Sequence, residues 1–298
     1  MLPTLRQLQY LKLLAEHGSF SKAAEAAHVT QPTLSAGIQE LERILGAPVV
    51  DRARSGVILT QMGEEAVQRG GQILAQAEDL VEAARSAGQP LVGRFRLGVI
   101  PTVAPFMLPK VLPVLRERYP KLRLFLREDL TQRLIAALKV GALDAALIAL
   151  PYDTRGLEVA RVADDELLAA LPANHRLVGA GPIALERMEG EDLILLEDGH
   201  CLRDHALAAC GLEPPKPTQD GGFAATSLPT LVQMVGSGLG VSFLPAMAVD
   251  AGLADLAPIS IRHLGEAQHP SREIVVCWRA GSSRGVEGRL LADILQTI

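Results

Sequence analysis

The chain has 298 residues, 48% of them hydrophobic, a size that sets a prior of about two domains and a content that excludes a disordered chain. A formal net charge of -5 excludes a broadly basic nucleic-acid-coating protein, and with 3% aromatic residues the cores must be aliphatic. No apolar run approaches the roughly 20 residues of a membrane span, and Arg6 and Lys12 interrupt the first amphipathic stretch where a signal peptide would be apolar, so a cytoplasmic protein without membrane contact is expected.

Over residues 4–17, Leu5, Leu8, Leu11, Leu13 and Leu14 recur near helical spacing, and Gly18 is placed to cap their helix. A second, short helix fits residues 21–27, with Ser19 or Ser21 as its cap. His28-Val29 makes a turn, Thr30 caps a third helix over residues 31–45, and Pro32 is tolerated in its first turn. Its buried stripe reads Leu34, Ile38, Leu41 and Leu45. The opposite face offers Gln31, Thr33, Ser35 and Gln39, short polar side chains suited to base edges. Residues 49–59 read as a β-hairpin wing carrying Arg52 and Arg54 toward a DNA backbone or minor groove. Residues 1–60 hold six basic and five acidic residues, so DNA contact rests on few groups, doubled by dimerisation. This is the helix-turn-helix pattern, and equally that of a three-helix bundle with a solvated polar face.

Three motifs separate those readings. Ser19-Phe20-Ser21-Lys22-Ala23-Ala24, Val29-Thr30-Gln31-Pro32-Thr33-Leu34-Ser35 and Ile38-Gln39-Glu40-Leu41-Glu42, followed by Leu45-Gly46, Arg52 and Leu59-Thr60-Gln61-Met62-Gly63, resemble the winged helix-turn-helix of LysR-type regulators. The resemblance implies that Thr30, Gln31, Pro32, Thr33, Ser35, Gln39, Arg52 and Arg54 contact double-stranded promoter DNA. Ala36 stands where the family often carries a basic residue.

Residues 61–88 contain no proline. Ala66, Gly70, Ile73, Ala77, Leu80 and Ala84 form a heptad-like seam flanked by Val67, Leu74 and Val81. A surface helix packed on its own domain fits this pattern, as does a dimer helix. LysR-type regulators dimerise through a helix in this place. Gly88-Gln89-Pro90 reads as a hinge.

Beyond the hinge, residues 95–100, 122–126 and 145–150 read as strands. Residues 105–119 and 131–140 read as helices, the first disturbed at its start by Pro109 and Pro113. A second set begins near Val162 with a strand at 193–197, a helix at 228–237 and a strand at 241–244. A strand at 274–278 and a final helix at 286–298 return to the first set. The expectation is an α/β chain in three parts: a winged helix-turn-helix over 1–60, a linker helix and hinge over 61–90, and an effector half over 91–298. Subdomain I of that half takes about 91–162 and 267–298, and subdomain II about 163–266. The resemblance implies a periplasmic-binding-protein-like architecture. Ligands in such sheets sit beyond the carboxyl ends of strands, which places Pro101-Thr102-Val103 and Asp129-Leu130-Thr131 at the cleft mouth.

Three cysteines in a reducing compartment point to core residues, metal ligands or redox chemistry. Gly199 turns the chain and a helical stripe follows through Leu202, Ala206, Ala209 and Cys210. Cys201 therefore starts a helix, where the dipole and the neighbouring His200 and Arg203 are expected to favour thiolate. Nine helical residues separate Cys201 from Cys210 by roughly 13 Å between Cα atoms, while a disulfide needs about 4.4–6.8 Å, so a bond between them requires unwinding. Inert burial, a metal site from Cys201, His205, His200 and Cys210, and an ordinary metabolite pocket are the competing readings. Cys277, mid-strand, reads as core.

Ile100-Pro101-Thr102-Val103, Thr131, the run Leu196-Glu197-Asp198-Gly199-His200-Cys201-Leu202-Arg203-Asp204 through Cys210, Ala225-Thr226-Ser227-Leu228 and Leu244-Pro245-Ala246 resemble the OxyR-type hydrogen peroxide sensors of that family. The resemblance implies that Cys201 is the peroxidatic cysteine and Cys210 the resolving one, and that Thr102, Thr131, His200 and Arg203 bind peroxide or support the thiolate. It implies no cofactor and no metal. Its partners are hydrogen peroxide, a second copy or a tetramer, RNA polymerase and a thiol reductant such as glutaredoxin or thioredoxin. His205 departs from the glutamine expected there and Ala209 from an aromatic. A metabolite-sensing regulator, a thiol-dependent redox enzyme and a solute-binding protein are the alternatives; catalytic peroxide consumption without sequence-specific DNA binding would mark the enzyme, and the helix-turn-helix argues against the solute-binding protein.

Overall fold

The structure is a computed structural model describing residues 1–53, 56–86, 89–179, 181–188, 190–211, 224–265 and 269–298, without the side chains of 52, 53, 56, 79, 82, 83, 85, 86, 209 and 210. Arg54, Gly88 and the side chains of Arg52, Ala209 and Cys210 therefore lie outside the described residues. The chain falls into two compact units, one built on Met1–Gln89 and the other on Pro90–Ile135, Leu143–Ala280 and Arg284–Ile298.

In the first unit α1 (Leu5–His17) starts on a capping box: the Thr4 hydroxyl accepts from the Gln7 amide at 3.2 Å and Gln7 Oε1 accepts from the Thr4 amide at 2.8 Å. Helix α2 (Phe20–Ala26) follows Gly18, whose φ of +60° closes α1. Helix α3 (Gln31–Leu45) is capped by the Thr30 hydroxyl. Leu34, Ile38 and Leu41 join Leu8, Leu11 and Leu14 in one aliphatic core, whereas Leu45, expected in the stripe, is exposed on the last turn. Gly37 admits the ring of Tyr10, since a Cβ there would come within 2.7 Å of it. β1 (Val50–Ala53) and β2 (Gly56–Leu59) make the antiparallel wing.

The long helix α4 (Gln61–Ser86) splits the expected seam. Ala66, Val67 and Leu74 pack on the reader core, and Gly70 lies against Leu8 of α1. The proximal seam residues are therefore spent within the chain, because a glycine at 70 lets α1 approach. Ile73, Leu80 and Val81 stay exposed, at 46%, 74% and 46%.

In the second unit β3 (Gly93–Val99) runs parallel to both β4 (Leu122–Glu128) and β5 (Ala145–Leu150), with α5 (Ala104–Arg118) and α6 (Thr131–Lys139) as crossovers. Pro109 and Pro113 lie inside α5 rather than disturbing its start. With Pro105 they recur every four residues on an exposed face, so the carbonyls they leave without donors meet water. The sixteen-residue β6 (Leu157–Pro172) comes next, then β7 (Leu195–Leu196), α7 (Cys201–Cys210), β8 (Ala224–Ala225), α8 (Leu228–Gly236), β9 (Ser242–Pro245), α9 (Ala246–Asp250), β10 (Ile259–Arg262), β11 (Ser271–Arg279) and α10 (Gly285–Gln296).

Strand order is β10-β6-β11-β5-β3-β4, with β9 also on β6. β6 changes partners along its length. Up to Glu166 it pairs with β11, from Leu167 it pairs with β9, and from Ala169 also with β10. The sheet thus has two parts sharing one strand. A core of Leu171, Ile194, Leu202, Ala206, Leu231, Val235 and Phe243 fills the second part.

Candidate functional site

β3 and β4 end side by side, and the chain turns from each into a helix, at Ile100–Val103 before α5 and at Asp129–Leu130 before α6. The start of α7 joins them. Gly199, at φ +95°, makes the turn that delivers Cys201 to the first position of α7, and a side chain at 199 would meet Leu130. The result is a narrow, nearly closed cleft lined by Ile100, Pro101, Thr102, Leu130, Thr131, Gly199, His200 and Cys201. Three helix starts face it, and their dipoles favour an anion there.

Cys201, Thr102 and Thr131 are all buried. Behind Thr102 lies an ion pair that no sequence motif suggested. Arg272 of β11 and Asp165 of β6 are directly opposite in the ladder, and both are buried. Arg272 Nε donates to Asp165 Oδ2 at 2.9 Å, Nη1 to the Thr102 hydroxyl at 2.8 Å and Nη2 to the Thr102 carbonyl at 3.0 Å. Asp165 Oδ1 accepts from the Met247 amide at 3.0 Å. Burial still pushes the Asp165 carboxyl upward, against the pull of Arg272.

The thiol of Cys201 departs from expectation. Burial raises its pKa, and that outweighs the neighbouring Thr131 hydroxyl and the field of Arg272, both of which favour thiolate; Asp204 adds to the rise. The Thr131 hydroxyl is buried with no hydrogen-bond partner among the described residues, so its influence on the thiol is that of a nearby dipole and not of a formed bond. His200 lines the cleft, but burial lowers its pKa, so it is a neutral imidazole near pH 7. Arg203 turns to Asp198 at 3.0 Å and does not line the cleft. The cation that acts on Cys201 is thus Arg272, not the two sequence neighbours: adjacency along the chain set neither the exposure nor the direction of those side chains.

Thr102, Thr131, His200 and Cys201 come together; Arg203 does not join them, and the Cys210 side chain lies outside the described residues. His205, one turn beyond Cys201, is buried; its Nε2–H donates to the Pro151 carbonyl at 2.9 Å, and Nδ1 has no partner among the described residues. Burial lowers its pKa as well. Among the described residues Cys201, His200 and His205 do not converge as metal ligands. Cys277 sits mid-β11 between β5 and β6, fully buried, with its thiol pushed up to about 12.

On the reader, Thr30, Gln31, Pro32, Thr33 and Gln39 are exposed along the start and one face of α3, and Ser35 is half-buried. Gln31 accepts from the Ser21 hydroxyl at 3.0 Å, which ties the two helices of the turn.

Two family descriptions match the chain: a bacterial regulatory helix-turn-helix protein of the lysR family over residues 5–64, and a LysR substrate binding domain over residues 88–297. The chain belongs to the LysR family. Among LysR relatives, the HTH-type transcriptional regulator EstR of Acinetobacter baylyi is 41% identical over 298 residues, 100% of this chain and 97% of that protein. The hydrogen peroxide-inducible genes activator of Pectobacterium carotovorum is 38% identical over 297 residues, 98% of this chain and 95% of that protein. The structure of a full-length cysteine-to-aspartate variant of OxyR from Pseudomonas aeruginosa superposes with a TM-score of 0.81 at 35% identity, covering 99% of this chain and 95% of that one. The expected fold, a winged reader with a LysR-type effector half, is the observed one. Among the described residues no helix is long and apolar enough to cross a membrane.

Proposed function

We propose that this LysR-family protein is a cytoplasmic transcription regulator that senses hydrogen peroxide through Cys201 and Cys210. The observation that carries the proposal is the cleft in which Cys201, Thr102, Thr131 and His200 meet beside the buried Arg272. The lining side chains close on one another and leave no room for a metabolite-sized ligand beside the thiol, which favours a small oxidant over a metabolite.

The Cys201 thiolate attacks one peroxide oxygen. The S–O bond forms, the O–O bond breaks, and hydroxide leaves to take up a proton as water. The sulfenic acid then condenses with the Cys210 thiol, forming the disulfide and releasing a second water. Two thiols are oxidised and one peroxide is reduced. Thr131 and Arg272 steady the thiolate, and Thr102 holds Arg272 in place. Both cysteines belong to α7, so the bond demands that this helix unwind. A thiol reductant such as glutaredoxin or thioredoxin resets the switch by exchange. Peroxide acts as a signal consumed once per cycle, not as the substrate of an enzyme.

The exposed face of α3 and the wing read double-stranded promoter DNA. Two chains pair through Ile73, Leu80 and Val81 of α4, and effector contacts extend the dimer to a tetramer that addresses RNA polymerase. The functional parts are residues 1–60, 61–90 and 91–298, the last divided into subdomain I over about 91–162 and 267–298 and subdomain II over about 163–266. The test is mass mapping of all three thiols before and after one equivalent of peroxide, with an operator footprint on the same samples. A Cys201–Cys210 disulfide, reduced Cys277 and an altered footprint are expected. Cys201 oxidising no faster than a free small thiol would overturn the proposal.

A further inference from the structure

Glu166, His263 and His269 form a second cluster, none of which lines the Cys201 cleft. Glu166 is the last residue of β6 opposite β11, before β6 takes up β9 at Leu167. His263 follows β10, and His269 lies two residues ahead of β11. Three segments thus meet where the chain passes between the two parts of the sheet.

Glu166 Oε1 lies 2.7 Å from His263 Nδ1 and 3.2 Å from His269 Nδ1, and the ligand atoms of all three residues fall within 4.8 Å of one another. The two rings are 5.5 Å apart and inclined at 61°, so they do not stack but converge edge to face. Among the described residues the ionisable partners of Glu166 are these histidines and no arginine or lysine. The neighbouring carboxylates are held elsewhere: Arg161 pairs with both Asp164 and Glu273. Glu166 is half-buried, and both imidazoles are exposed, so an ion can reach the cluster.

Two imidazoles and one carboxylate are the donor set of late divalent transition metals. Ligands about 2.0–2.2 Å from a tetrahedral ion sit roughly 3.4 Å from one another. The two Glu166–imidazole spacings, 2.7 and 3.2 Å, are tighter than that: His263 is hydrogen-bonded to Glu166 where an ion would lie between them, and His269 Nδ1 also meets the Leu264 carbonyl at 3.0 Å. We infer that Glu166, His263 and His269 bind a divalent transition-metal ion of the zinc type, with water completing its coordination. The ion would join β6 to the segment between β10 and β11, fixing the two passages between the parts of the sheet against each other.

Zinc alone is the probe, titrated into the full-length chain in competition with a chromophoric chelator. A Cys201→Ser/Cys210→Ser background keeps thiolates from competing. One zinc per chain is expected, with protons released on binding. Affinity should fall from about pH 7.5 to about pH 5.5, because the imidazoles must be neutral to coordinate. His263→Ala, His269→Ala and Glu166→Gln should each weaken binding by at least about tenfold, the scale on which even a second-layer partner acts. His175→Ala, at the separate His175–Glu191 pair, should leave affinity unchanged. Both changed histidines are exposed, and circular dichroism checks that each variant is folded. Cobalt gives a second readout: a tetrahedral absorption band without sulfur charge transfer is expected, and it should vanish in His263→Ala/His269→Ala. Zinc bound equally well by that double variant, or by none of the folded proteins, overturns the assignment and leaves a hydrogen-bonded cluster only.

Discussion

Cys201 and Cys277 are both buried, and burial pushes both thiols away from ionisation, yet their surroundings differ in kind. Cys277 lies within a sheet, and the largest thing opposing its burial is a backbone hydrogen bond at Ala146. Cys201 starts a helix, shares a narrow cleft with the buried Thr131 and Thr102, and feels the field of Arg272, which is bonded to Thr102. Burial therefore does not separate an inert cysteine from a sensor. What separates them is whether groups that stabilise the thiolate, and a space for the oxidant, are buried alongside.

Breaking that difference at the sulfur itself should give the largest effect. Cys201→Ser is expected to abolish oxidation by equimolar peroxide and the accompanying change in operator footprint. Cys277→Ser should leave both as in the parent. Cys210→Ser should accumulate sulfenic acid at Cys201, detectable by trapping and intact mass. Loss of response in Cys277→Ser with retention in Cys201→Ser would reverse the assignment.

Next comes the cation. Arg272→Met strands Asp165 in the core, and breaking a buried pair from one side costs about 3–5 kcal/mol. Denaturant unfolding measures that loss. Arg272→Lys keeps the charge but not the fork that spans Asp165 and Thr102, so it should recover part of the thiol's reactivity and less of the stability. Oxidation unchanged in both variants would show that Arg272 only holds the fold together.

Arg272 also marks the limit of what the sequence made legible. The reader was readable almost residue by residue, because caps, periodicity and turn residues are local: Thr30 caps α3, Gly18 and Gly46 end their helices, and Leu34, Ile38 and Leu41 face inward. The cleft needs Cys201 and Arg272, far apart in the chain and brought together by β11 lying against β6. A signal was present. Arg272 shares strand parity with Ile274 and Val276, and Asp165 shares it with Leu167, so each charge sits on an inward face where a lone charge is rarely tolerated. The direction of the Cys201 shift was not legible, because a helix start and adjacent cations can be read from sequence whereas the degree of burial cannot. The split of the α4 seam was missed for the same reason: Gly70 reads as a place for close approach, and its partner Leu8 belongs to the same chain.

The pH dependence sharpens the comparison at intermediate scale. With its pKa raised, Cys201 binds its proton more tightly in the folded chain than in the unfolded one. Alkylation should therefore still be accelerating as pH passes about 8.5, where a free thiol levels off. By linkage, the reduced fold loses stability as pH rises through that value, since the unfolded state then releases a proton the native state keeps. Cys201→Ser should flatten part of that loss, and Cys277→Ser another part. A rate profile that plateaus well below pH 8.5 would mean that Thr131 and Arg272 outweigh burial.

The smallest effect is expected at Arg203, and it tests the comparison from the other side. Arg203 is two residues from Cys201 and would be the first cation chosen from the sequence. It pairs instead with Asp198, which is 91% exposed, and ion pairs with one partner in water contribute about 0–1 kcal/mol. Arg203→Ala should therefore slow Cys201 oxidation severalfold at most and barely move the unfolding midpoint, while Thr131→Val, which removes a buried hydroxyl free to donate to the thiolate as it forms, slows oxidation about tenfold. Stopped-flow oxidation of the two variants side by side decides it. If Arg203→Ala proves the slower, the guanidinium must leave Asp198 and turn into the cleft when peroxide arrives, and the resting geometry is not the reacting one.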